Sequence, residues 1–382
     1  MNLSNNKKNT FFNKQIIDYD IHGIVGIRLL NPTKSDAVAV ANQLGPNLKA
    51  LDRDPDITIR FKDKLSTPTI KYVGLDAGFT DDGFYIFCSR ENAKIRIPLE
   101  KVGSQCEIIC ESGLHGIPWL SEIINLTFLK KKHIPLHASA FEYNGTGTLV
   151  TGWTKGGKTE ALLSFANHGA NYVGDECVIL SSDGKKMFGT HVPICIWEWQ
   201  FKHIPDLLPK IGIQRKILFK SIHFLDFLHK SMERNNLRNS FPAKILNKAL
   251  PSFKRQLNIR VKPEKIFENQ YSHSASLDRL ILGISHSNPE ILIEKCDPSE
   301  IAKRMIHSNT NELLPFLEIY KAFKYAFPQL RNQFLENHEK HQYSLLCRIF
   351  ENKKSYKVFH PYQVSFEDYF NELRPYCEKK TD

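Results

Sequence analysis

The octapeptide Gly152-Trp-Thr-Lys-Gly-Gly-Lys-Thr159 meets the pattern G-x-x-x-x-G-K-[ST] at every fixed position. Glycines let backbone N–H groups curl around an anion, and the helix that follows turns its positive end toward the same point. Such a loop requires a strand ending at it and a helix starting from it. Both flanks comply. Gly147-Thr-Leu-Val-Thr151 is a short β-branched, apolar run, which predicts a buried strand. Apolar positions 161, 162, 163, 165 and 166 predict a helix laid on a sheet, with Gly169 as its terminator. In that setting Gly152, Trp153, Thr154, Lys155, Gly156, Gly157, Lys158, Thr159 and Glu160 are the expected nucleotide-phosphate contacts. Lys158 would reach the β- and γ-phosphates and Thr159 a Mg²⁺ ion.

The segment Ala170-Asn-Tyr-Val-Gly-Asp-Glu-Cys-Val-Ile-Leu180 reads as a strand interrupted by two acids, 17 residues after Lys158. Acids at a strand end beside such a loop can hold Mg²⁺ or accept a hydroxyl proton, so Asp175 and Glu176 are candidates for both. Upstream, Ile134–Tyr143 predicts another strand, and Asn144-Gly145 is a strong hairpin signal. The hairpin is expected to pair His137–Tyr143 with Thr148–Thr151, which would bring His137 near the loop.

The block His137-Ala-Ser-Ala-Phe, Gly147–Leu162 and Gly174-Asp-Glu-Cys-Val resembles the catalytic core of the HPr kinase/phosphorylase family, whose fold is shared with phosphoenolpyruvate carboxykinase. The resemblance covers residues 115–190 and runs more loosely to about 310 through Arg279–Ser285. It implies Lys158 and Thr159 as phosphate and Mg²⁺ contacts, and Asp175 as the base that deprotonates an accepting hydroxyl. Glu176 becomes a metal or water partner, and His137 a residue lining the site. The chain departs from the family at Trp153-Thr-Lys155, where the family has Asp-Ser-Gly, and at Glu176, where it has Asp. The arginine-containing segment associated with the reverse, phosphorolytic reaction has no convincing copy. The resemblance therefore implies a divergent kinase relative, acting on an acceptor other than HPr.

The fold class expected is α/β: a core like that of HPr kinase and phosphoenolpyruvate carboxykinase, a β-rich N-terminal domain and a basic helical insertion. The expected boundaries are a disordered tail at 1–14, the β-rich domain at 15–115, the core at 116–310 and a C-terminal helical segment at 311–382 completing the core. In the core, Arg279–Ser285 and Glu290–Lys295 are expected to form a hairpin. Phe316, Tyr320, Phe323, Tyr325 and Phe327 are expected to pack rather than to stack on a ligand. An apolar content of 41% excludes a disordered chain. The eight cysteines are scattered, as in a reducing compartment. The first ten residues are polar and no apolar run reaches ~18 residues, so a cytoplasmic protein without a membrane span is expected.

Between residues 200 and 260 there are 13 Lys and Arg against 3 Asp and Glu, in a chain whose net charge is +11. Apolar residues interleave with these bases at helical spacing. The segment reads either as a solvated insertion or as an electropositive lid for an acidic substrate, with nucleic acid a weaker reading for want of a motif. Arg215, Arg234, Arg238, Arg255 and Arg260 are all candidates to clamp the γ-phosphate. The activity expected is transfer of the γ-phosphoryl group of ATP, with Mg²⁺, to a hydroxyl on a peptide, protein or small molecule. Alternatives are a nucleotide-gated binding protein, whose insertion holds an acidic partner, and a simple ATPase. A homo-oligomer is compatible with all three.

Overall fold

A computed structural model describes residues 15–45, 50–67, 69–207, 211–235, 240–267 and 270–379. The expected tail, residues 1–14, and Arg238 lie outside these. The architecture is mixed α/β and divides into two compact units. The first comprises Met1–His137, Ile179–His191 and Ala302–Glu351, and the second Ala138–Val178, Val192–Ile301 and Asn352–Asp382.

The first unit is built on an eight-stranded sheet drawn from residues 16–111. Its order is Ile16–Ile21, Val25–Leu30, Ile57–Lys62, Cys106–Glu111, Ala93–Arg96, Gly83–Cys88, Ala77–Thr80 and Lys71–Val73. Alternation sets the faces: Ile57, Ile59 and Phe61 are buried while Thr58 and Arg60 are half-buried. The helix Lys34–Leu44 connects two parallel strands and starts from a capping box, with Thr33 and Asp36 bonding each other's backbone N–H groups. Helix Leu120–Lys130 contributes Leu120, Ile123, Leu126 and Phe128 to the same core.

The long helix Pro298–Ala326 gives Phe316, Tyr320 and Phe323 to this core, as the packing reading required, while Tyr325 is exposed. This corrects the expected boundary, since residues 302–351 belong to the first unit and do not complete the phosphate-loop core. An aromatic face at helical spacing requires an apolar partner but does not say which one.

The second unit carries a six-stranded sheet in the order Asn171–Gly174, Ser139–Tyr143, Thr146–Gly152, Arg279–His286, Lys354–Pro361, Leu292–Lys295. Strands Thr146–Gly152, Arg279–His286 and Lys354–Pro361 run parallel, and Leu280, Ile281 and Leu282 in the middle one are fully buried. Two expectations are corrected. Asn144-Gly145 forms a two-residue turn with both φ angles positive, which fixes the pairs Tyr143 with Thr146 and Ser139 with Val150. The paired strand starts at Ser139, so His137 is not part of the hairpin. Arg279–His286 and Leu292–Lys295 do not pair, because Lys354–Pro361 runs between them. A buried parallel strand needs a ladder partner on both edges, and the chain's last strand supplies it.

Helix Lys158–Ala166 lies on this sheet, with Phe165 stacked on Phe141 at 4.4 Å and edge-on to Phe370 of helix Phe366–Cys377. The basic insertion consists of helices Ile213–Arg234 and Phe241–Lys254 and a ribbon, Ile194–Trp197 with Asn258–Val261.

The loop is seated on the sheet by glycine. A methyl group built on Gly283 would collide with the carbonyl oxygen of Gly156, and one on Gly152 would stand 2.6 Å from the carbonyl oxygen of Gly283. Both obstructions are backbone, so neither can swing aside. Gly283→Ala is expected to destabilise the fold by about 1–3 kcal/mol through overpacking. Urea denaturation would show this as a lower midpoint at unchanged slope, and an unchanged midpoint would contradict the close approach.

Candidate phosphate site

The strand Thr146–Gly152 ends where the loop begins, and the helix starts at Lys158 with Gly157 as its N-cap at φ 82°. The loop closes on itself through Gly156 N–H donating to the Trp153 carbonyl at 3.0 Å. Lys155 takes a positive φ of 65°, its carbonyl accepts from Ser285 Oγ, and its ammonium stands 5.1 Å from the centre of the Tyr362 ring. Trp153, Thr154 and Lys155 form the exposed rim. Lys158 is buried, and its Nζ donates to the carbonyls of Gly152 at 3.3 Å and Trp153 at 3.0 Å. The ammonium thus spans the loop, where an incoming phosphate would compete with neutral carbonyl acceptors and offer it a stronger, charged one.

Asp175 stands at the end of strand Asn171–Gly174 and is 1% exposed. Ser139 Oγ donates to its Oδ1 at 2.5 Å, and Thr159 Oγ1 lies 3.2 and 3.3 Å from its two oxygens. The loop threonine and the first acid are therefore one hydrogen-bonded unit. Ser139 escaped the sequence reading because its role depends on cross-strand pairing, not on spacing. Past Asp175 the chain bends in a tight turn. Cys177 N–H donates to the Asp175 carbonyl at 2.7 Å, and Glu176 takes a φ of 63°. A β-unbranched but non-glycine residue in that region stores strain of order 1 kcal/mol, and such strain clusters at functional sites.

Burial pushes the Asp175 carboxyl up from an ordinary 3.8 to about 7. The neighbouring Glu176 charge adds to the rise, and the Ser139 bond and Lys158 oppose it. Glu160, expected among the ligand contacts, is turned to the protein. It accepts from Gln200 Nε2 at 2.9 Å, and burial raises its carboxyl. His137 is placed in the first unit, where its N–H donates to Asn309 at 3.4 Å and its ring stands 3.5 Å from Glu312. In the basic ribbon Cys195 pairs with Arg260, and the Cys195 thiol feels Glu176, Asp175 and Arg260 together. Among the arginine candidates, the ribbon register thus puts Arg260 in the electrostatic neighbourhood of the two acids.

The residues suit a magnesium ion, which takes few protein ligands and keeps water and phosphate oxygens for the rest. Thr159 Oγ1 and the Asp175 carboxylate supply an adjoining pair of hard oxygens, with Glu176 next in the chain. Among the described residues no group of three or more His, Cys, Asp and Glu side chains could hold a metal by itself. Among them also, no helix is long and apolar enough to cross a membrane. No model of a known protein family matches the chain, and no curated protein matches it.

The raised Asp175 carboxyl has a thermodynamic consequence. Between the ordinary value and about 7 the folded chain holds a proton that the unfolded chain has lost, so this group's contribution to stability falls as pH rises through that window. A shift of this size corresponds to on the order of 4 kcal/mol at the alkaline side, and asparagine cannot ionise. Asp175→Asn is expected to be the more stable protein at pH 8, by up to a few kcal/mol, with the gap closing toward pH 5. Urea denaturation at the two pH values measures it; a pH-independent difference would refute the burial account.

Proposed function

We propose that this chain is a phosphotransferase of the HPr-kinase-like kind, moving the γ-phosphoryl group of ATP to a hydroxyl. The observation that carries the reading is the bonded pair of Thr159, in the phosphate loop, and Asp175, a buried carboxylate raised to about 7. A general base works best when its proton affinity lies near the working pH. In its ionised form Asp175 would take the acceptor's hydroxyl proton. The acceptor oxygen forms a bond to the γ-phosphorus, the bond to the β–γ bridging oxygen breaks, and ADP leaves with that electron pair. Loop N–H groups and the Lys158 ammonium would hold the charge spread over the transferring group. Magnesium, held by Thr159 and Asp175 with Glu176 nearby, would neutralise charge on the phosphates. Arg260, opposite Cys195 in the ribbon, would meet an anionic acceptor or the γ-phosphate.

A second reading rests on a different observation. Ile213, Ile217, Phe224, Phe227, Phe241 and Ile245 on the insertion helices are exposed beside lysines and arginines. Large exposed apolar side chains rimmed by charge mark surfaces that dock partners. In that reading nucleotide binding gates attachment, and Asp175 is dispensable.

The assay that separates them uses γ-labelled ATP, Mg²⁺ and a panel of serine peptides and small hydroxyl compounds, with added phosphate read by mass. Asp175→Asn is expected to lower turnover by ~10²–10⁴, and Lys158→Ala by ~10²–10³. The wild-type rate should climb with pH through the range in which Asp175 loses its proton in the magnesium complex and flatten above it. Wild-type turnover in both variants would sink the phosphotransfer reading. Partner binding intact in Asp175→Asn but lost at high salt would favour the docking one.

A further inference from the structure

The exposed apolar side chains of the basic insertion follow a pattern that packing within the fold does not explain. Helix Ile213–Arg234 buries Phe219 and Ile222, and the Phe219 ring stacks on Phe201 with centres 6.2 Å apart. Away from that face, Ile213, Ile217, Phe224 and Phe227 are each more than half exposed. They stand at i, i+4, i+11 and i+14, which keeps them on one side of the helix. The i+7 place in the same stripe holds Lys220. Helix Phe241–Lys254 repeats the arrangement. It buries Ala243 and Leu250 and exposes Phe241, Ile245 and Lys248, again at i, i+4 and i+7. Each helix therefore has two apolar faces, one used by the fold and one exposed with a lysine set into it.

Charge narrows what can cover the exposed faces. Residues 200–260 hold 13 Lys and Arg against 3 Asp and Glu. Helix Phe241–Lys254 has no acid, and Asp226 of the other helix is already engaged by Lys230 at 3.0 Å and Lys254 at 2.7 Å. Arg215, Lys216, Lys220, Lys244 and Lys248 are exposed. A second copy of the chain would set this positive charge against itself. Nucleic acid would meet the bases and leave the phenylalanines and isoleucines without an apolar partner. A dry protein groove would strand Lys220 and Lys248 inside the apolar contact. A lipid surface satisfies both groups at once. Phe and Ile enter the boundary between headgroups and acyl chains, while lysine stems lie along it and return their ammonium groups to the phosphates. Among the described residues no helix is long and apolar enough to cross a membrane. A stripe along one side of a helix is the pattern of a helix lying in the interface.

We propose that the helical insertion is a peripheral membrane anchor, whose exposed Ile and Phe side chains enter an anionic lipid surface and whose lysines and arginines meet the lipid headgroups. This names the occupant of the exposed face. It holds whether or not the chain transfers phosphate.

The test is co-sedimentation of the full chain with vesicles of equimolar phosphatidylcholine and phosphatidylserine, and with phosphatidylcholine alone, each with and without ATP and Mg²⁺. The wild-type chain is expected to sediment with the anionic vesicles and to be released as salt rises. Phe224→Ser together with Phe227→Ser, both at exposed positions, should weaken that binding about tenfold or more. Lys220→Glu together with Lys248→Glu should do the same. Phe224→Trp keeps the face apolar and reports its surroundings. Its added emission should move to shorter wavelength on anionic vesicles and be quenched by lipids brominated along the acyl chain. Sedimentation with the emission unshifted, or undiminished in the serine variant, would mean attachment by charge alone and overturns the proposal. Wild-type chain left in the supernatant under every condition also overturns it, and leaves a soluble acidic protein as the partner of this face. Phosphotransfer is assayed without vesicles, so the two readings fail separately.

Discussion

Burial of the Asp175 carboxylate is the constraint on which the candidate site depends. Two hydroxyls satisfy it, Ser139 from one neighbouring strand and Thr159 from the loop helix, and neither brings a full positive charge. Lys158 is close enough to lower its proton affinity, yet burial and Glu176 outweigh it. A carboxylate paired directly with an ammonium would be held ionised and be a weak base. Here the partners are neutral, so the group stays poised. The cost is borne by the fold, which keeps an acid buried and a strained residue beside it.

Glycine permits this arrangement in space. The loop descends onto the carboxyl ends of the parallel strands because Gly152, Gly156 and Gly283 leave backbone facing backbone. Ligands in open α/β sheets bind at that edge, where strand ends leave a crevice and helix N-termini converge. Strand Lys354–Pro361 completes the edge and delivers His360 to it. The site is therefore assembled from three distant stretches of sequence, near residues 140–176, 280 and 360.

Much of this was legible beforehand where the signal was local. The glycine loop, the helix after it, the Asn144-Gly145 turn and the strand ending at Asp175 all follow from backbone preferences of neighbouring residues. The eight-strand region near the N-terminus was equally plain, because alternation at period two records which face is buried. Failures came where a decision depended on a distant partner. The Arg279–His286 strand looked like half of a hairpin, but a strand some seventy residues later took the place beside it. The aromatic face of Pro298–Ala326 was correctly read as packing, yet it packs in the first unit. His137 was expected to open the hairpin strand, but pairing begins at Ser139.

By itself the sequence determined the loop's conformation and the helix that follows it, since an eight-residue glycine loop of this pattern is specified by its own backbone preferences. Only the tertiary structure decided which groups surround it. Ser139, Gly283, Ser285 and His360 carry no motif. Each gains its position from strand register across the sheet, and register is set by pairing and burial over distances no local pattern encodes.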